Sequence, residues 1–152
     1  MTDQPARNTS QAASLIAFIV LAAAVCALFY RHSLFATHPA GIAVQALAVL
    51  LMIWARLTLK WRSFQPMAGP TQGGLITNGP YRFVRHPIYA AIFYFLIAGL
   101  IFHLATINIV LAVVAFAAIA VRIVSEEHLL IAQYPEYAAY AARTKRVIPF
   151  VL

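Results

Sequence analysis

From Ser14 to Tyr30 the chain reads SLIAFIVLAAAVCALFY, without one charge. A helix needs roughly 17 to 25 mostly apolar residues to cross a bilayer, so this stretch alone commits the chain to a membrane. Three further runs follow: Ala40 to Leu59 after Pro39, Pro87 to Leu104, and Thr106 to Ser125. The expected fold is all-α, a polytopic membrane protein with about four transmembrane helices. Composition supports this. The 152 residues are 63% hydrophobic and 10% charged, whereas a soluble domain is about 25% charged. A chain of this size also lacks the interior to hide so much apolar surface from water.

Only HLATIN separates the third run from the fourth, which predicts a tight antiparallel helical hairpin. Gly99 and the many alanines there allow close helix approach. With both termini in the cytoplasm, every Lys and Arg except Arg31 falls in an inner segment, as the positive-inside rule requires. Trp54 and Trp61 then fall near the inner interface. The net charge of +7 is thus explained by topology, and nucleic acid is not an expected partner. Cys26, inside the first run, reads as a small packed hydrophobe.

The segment Arg62 to His86 is polar and rich in Pro and Gly, and MAGPTQGGLITNGP reads as turns. After Ser125 the fourth helix is expected to continue to Tyr134, and Pro135 suits the first position of a short cytoplasmic C-terminal helix. Residues 1–152 are read as one membrane domain, with a two-span part over 1–61 and a core carrying the chemistry over 74–152.

The chain has four acids. Asp3 belongs to the terminus, and Glu136 falls in the first turn of the short helix, where acids are favourable. Glu126 and Glu127 are adjacent, at the inner end of the fourth span. Like charges repel there and oppose the helix dipole, and carboxylates at a membrane usually mark function. The bland alternatives are an ion pair with Arg122 or Arg143, or simple exposure to cytosol.

The densest polar stretch is NGPYRFVRHPIYAA, residues 78–91. Pro87 fits the first position of the third helix, which makes His86 its cap residue. The free amides of that helix start, with Arg82 and Arg85 just before it, form an anion-favouring site. Tyr89 lies three residues beyond His86, roughly on the same face. In an antiparallel hairpin the start of one helix meets the end of the other, so this site and the glutamates should be neighbours. Such a bipolar pocket suits a zwitterion. S-adenosylmethionine carries a carboxylate, an ammonium and a sulfonium, and fits both walls.

These residues resemble the isoprenylcysteine carboxyl methyltransferase and phospholipid methyltransferase superfamily. The resemblance rests on Arg85-His86-Pro87-Ile88-Tyr89, then Glu126-Glu127, then Tyr137, Tyr140, Arg143 and Pro149. It implies an integral membrane enzyme using S-adenosylmethionine. His86, Tyr89, Glu126 and Glu127 would line the cofactor pocket, with Tyr81 and Arg82 on the same side. Arg85, Glu127 and Arg143 would serve catalysis. The substrate is expected to enter sideways from the bilayer. Ala91 stands where the family often has Gly.

Methyl transfer from a sulfonium needs alignment and a dry site, not a metal. His32, His38 and His103 lack metal-ligand spacing, so no metal is assigned. A carboxylate acceptor needs no base; a lipid amine or a thiol would need one, for which Glu127 and His128 are candidates. The tail tyrosines suit interfacial packing, and Lys145 and Arg146 suit anionic headgroups. The compact length is compatible with a prokaryotic inner membrane. Two alternatives are an NADPH-dependent membrane reductase of the sterol-reductase type and a non-catalytic small membrane protein.

Overall fold

The computed structural model describes residues 4–59 and 74–148. Lys60, Trp61, Arg62, Pro149, Asp3 and the turn reading of residues 67–73 lie outside the described residues. Among the described residues five α-helices follow in order: α1 Gln4–Tyr30, α2 Pro39–Leu59, α3 Pro87–Leu100, α4 Thr106–Gln133 and α5 Tyr137–Arg143. A 3-10 turn at Gly79–Arg82 precedes α3.

Helices α1, α2 and α4 are long and apolar enough to cross a membrane. Their outer surfaces carry exposed Ile16, Ile19, Leu47, Leu50, Leu57, Val113 and Val124, an apolar surface that only lipid satisfies. Cys26 is on this outer surface too, not packed inside. Helix α3 is shorter than expected, with 14 residues, or about 21 Å of rise. It ends at Leu100 because the following backbone tightens: Phe102 N–H bonds Gly99 O at 3.2 Å and His103 N–H bonds Leu100 O at 2.9 Å.

The helices pair differently from the expected hairpin. Helix α4 lies mainly along α1, and α3 along α2, while α3 and α4 touch much less. Small residues explain the first pairing. Ser14, Ala17, Leu21, Ala24 and Leu28 form a buried stripe on α1 with the three- and four-residue spacing of one helix face. Opposite them lie Ala115, Ala118, Ile119 and Ile123 of α4. Between α2 and α3, Gln45 is a polar rivet. Its amide donates to Leu34 O at 2.9 Å and Phe95 O at 3.1 Å, and its oxygen accepts from Ala36 N–H at 3.0 Å. At the same end Arg31 Nε donates to Asn108 Oδ1 at 2.8 Å, and Asn108 Nδ2 donates to Ser33 Oγ and His103 O, both at 2.9 Å. Backbone that cannot reach water is thereby paired.

Gly99 allows the α3 end to touch the Leu34 segment. A methyl group there would stand 2.3 Å from Leu34 O, a backbone atom that cannot swing aside. Gly99→Ala should therefore destabilise the protein by about 1–3 kcal/mol, despite the better helix propensity of alanine. Thermal unfolding in detergent would read this as a lowered transition.

Candidate active site

The stretch before α3 is fixed first by local rules. Gly79 has φ +57, and a side chain there would meet Thr58 of α2 at 2.6 Å, so glycine suits both the turn and the contact. Pro80 and Tyr81 are buried behind it. His86 takes the cap position of α3, as expected, but makes no side-chain capping bond. Its ring serves something else.

The ring stands between the two glutamates. His86 Nδ1 is 3.6 Å from Glu126 Oε2, and Nε2 is 3.4 Å from Glu127 Oε1. The start of α3 and the C-terminal part of α4 are thus neighbours, as the sequence predicts. Glu127 is also bound by Arg85 Nε at 3.0 Å and by Arg146 through Nε at 3.0 Å and Nη2 at 2.8 Å. Glu126 accepts from the Tyr89 hydroxyl. Arg122 stands 3.7 Å from Glu126 and donates from Nε to Tyr89 Oη at 2.8 Å. Phe18 of α1 faces the Arg122 guanidinium at 5.1 Å, and Ser14 O accepts from it at 2.9 Å.

Arg85 does not lie free at the helix start. Its Nη1 donates to Ala141 O at 2.8 Å and to Thr144 O. The chain after α5 returns to the same place, where Arg85 N–H bonds Lys145 O at 2.6 Å and His86 N–H bonds Arg146 O at 3.0 Å. Tyr140 Oη donates to Tyr81 O at 2.7 Å. These bonds clamp the C-terminal segment across the Arg-His-Pro turn.

Of the residues singled out by sequence, Arg85, His86, Tyr89, Glu126 and Glu127 come together in one cluster. Tyr81 is buried beside it, and Glu126 contributes to keeping its hydroxyl protonated, after burial itself. Arg82 is exposed and lies over the Phe83 ring. Arg143 is exposed, with Nε directed to Ala139 O of its own helix at 3.3 Å. Helix α5 begins at Tyr137, two residues later than Pro135 suggests, and places Glu136 at the cap. His128 meets Ser10 of α1 at 3.5 Å. Arg146, read from sequence as a headgroup contact, is a Glu127 partner. Its only sequence signal is its charge, because the pairing depends on the path of the chain after α5. Arg122 was legible only as a possible ion-pair partner four residues before Glu126.

Burial opposes a charge on His86, but hydrogen bonds to Glu126 and Glu127 outweigh it, and the folded pKa rises above 6.5. The folded state therefore holds this proton to higher pH than the unfolded chain does. Its stabilising effect is complete below 6.5 and is lost as pH rises through the folded pKa. A series of thermal transitions from pH 6 upward should fall for the wild type. The same series on His86→Asn should lose that component of the slope.

The sequence profile of the Isoprenylcysteine carboxyl methyltransferase (ICMT) family matches residues 40–132. The nickel-cobalt-cadmium resistance protein NccN of Alcaligenes xylosoxydans xylosoxydans is 29% identical over 133 residues, 86% of this chain. The chain spans 62% of that relative's length. No solved structure matches. The matched region runs from the start of α2 through α3 and the Glu126-Glu127 pair, and with the cluster built around that pair the chain belongs to the isoprenylcysteine carboxyl methyltransferase family.

Proposed function

We propose that this protein is a membrane methyltransferase that takes its methyl group from S-adenosylmethionine and passes it to an acceptor carried on a hydrophobic tail. The observation that carries this reading is the charge cluster. Two carboxylates and three guanidinium groups meet at the end of a helix bundle, with the family's Arg-His-Pro-x-Tyr and Glu-Glu elements in direct contact. Glu126 and Glu127 suit the ammonium of such a donor. Arg85 suits its carboxylate. His86 and Tyr89 hold the glutamates in place. Bound there, such a donor would supply a sulfonium methyl for the acceptor to attack, the bond to sulfur breaking as the bond to the acceptor forms and the neutral thioether S-adenosylhomocysteine departing. The protein's part is alignment and exclusion of water.

Two features bear on the acceptor. A cavity of about 280 Å³ lies between α1, α2 and α3, lined by Leu21, Val25, Ala48, Met52, Ala91 and Phe95 among other apolar side chains. Ala91 is two residues from Tyr89 along α3, so one end of the cavity stands at the height of the cluster, and a tail in it would place its head at that level. The candidate bases are otherwise engaged: Glu127 by Arg85, Arg146 and His86, and His128 by Ser10. This favours an acceptor that needs no deprotonation, such as a carboxylate, over an amine or thiol. Termini on the cytoplasmic side would give the cofactor access from cytosol, while the tail arrives from the bilayer.

Purified protein in detergent should bind S-adenosylmethionine and transfer its labelled methyl group to a component of a lipid extract. Glu127→Gln and His86→Ala should weaken binding by about tenfold or more. Failure of a folded wild-type sample to bind would reject the reading. Ala48→Phe, which fills the apolar cavity, should leave cofactor binding unchanged and cut methyl transfer by about tenfold.

A further inference from the structure

Tyr137 and Tyr140 lie three residues apart on α5 and are both buried. Their rings meet edge to face at 5.9 Å. Their hydroxyls differ. Tyr140 donates to Tyr81 O at 2.7 Å. The Tyr137 hydroxyl is buried with no partner in hydrogen-bonding geometry, in a residue 2% exposed. Buried polar groups in folded proteins are almost always paired, so this donor calls for an acceptor.

Its surroundings indicate which kind. Burial first, and then the Glu127 charge, push the Tyr137 hydroxyl well above its ordinary pKa. It stays protonated and can donate throughout the physiological range. Arg85 is close enough to act on it electrostatically, and Arg85 favours an anion. Glu127 is the nearby acid and the hydroxyl approaches it, outside good hydrogen-bonding geometry; its two oxygens already accept from Arg85, His86 and Arg146. Arg146 differs from the other members in having a side chain 50% exposed, against 9% for Glu127. It can move into solvent without leaving a buried charge of its own.

We propose that the Tyr137 hydroxyl is a ligand-binding group of this site, donating to the carboxylate at the amino-acid end of the methyl donor once Arg146 moves aside. The assignment rests on the S-adenosylmethionine reading and extends it to a residue on α5. No bond is made or broken at Tyr137. It orients the ligand.

The test compares Tyr137→Phe and Tyr140→Phe with wild type, by thermal unfolding and by titration with S-adenosylhomocysteine and 5′-methylthioadenosine. The second ligand keeps the nucleoside and lacks the amino-acid end. Tyr137→Phe should unfold no earlier than wild type, because it removes an unpaired hydroxyl. It should bind S-adenosylhomocysteine roughly three- to tenfold more weakly and methylthioadenosine as wild type does. Tyr140→Phe should show the reverse, with an earlier transition and little specific change in affinity. A lowered transition in Tyr137→Phe would mean that its hydroxyl is paired within the protein, and would overturn the assignment. So would unchanged S-adenosylhomocysteine affinity, or equal weakening of both ligands. If the wild type binds neither ligand, the cofactor reading falls and takes the assignment with it. Wild-type binding that Tyr137→Phe leaves unchanged removes the assignment alone.

Discussion

The buried carboxylate of Glu127 imposes the strongest local demand in the structure. A carboxylate removed from water is costly unless charge and hydrogen bonds replace its hydration. Here the replacements come from two other places in the chain. Arg85 and His86 precede α3, Arg146 follows α5, and Glu127 itself lies near the end of α4. Satisfying one side chain therefore fixes the meeting of three segments. The backbone contacts between residues 84–86 and 145–146 reinforce the same meeting.

Glu126 occupies a different environment, although it is the next residue. Successive helix positions point about 100° apart. Glu127 faces the C-terminal segment, while Glu126 faces Tyr89 and Arg122. Arg122 in turn reaches α1 through Ser14 and Phe18. The pair thus couples two sets of elements: α1 and α3 through Glu126, and the C-terminal segment through Glu127. Glu126 also keeps more exposure than its neighbour, so it is the more accessible carboxylate of the two.

The two ends of the bundle solve the same problem by different means. At one end Gln45, Asn108 and Arg31 serve neutral backbone and amide groups, and every contact described there is structural. At the other, formal charges are concentrated, and among the described residues two buried hydroxyls, of Ser14 and Tyr137, are left over. Between them the packing relies on alanine and other small side chains. These allow close approach where lipid offers no hydrophobic drive for association.

Much of this was legible in the sequence because it depends on local properties. Run length and apolarity gave the helices. Pro87 marked the start of α3, and charge distribution gave an expected orientation. The adjacency of the Arg-His-Pro turn and the glutamates followed from a short connection between two antiparallel helices. Other features were not legible. Nothing in the sequence tells that α4 pairs with α1 rather than α3, because alanine-rich faces fit many partners. Nothing marks Arg146 as the partner of Glu127 while Arg143 stays on the surface, since both are basic residues in one short tail. The unpaired state of Tyr137 beside the paired Tyr140 was equally hidden. Periodicity and charge are properties of a segment and survive without its neighbours. Which donor meets which acceptor depends on how segments distant in sequence cross in space, and only the tertiary structure decides that.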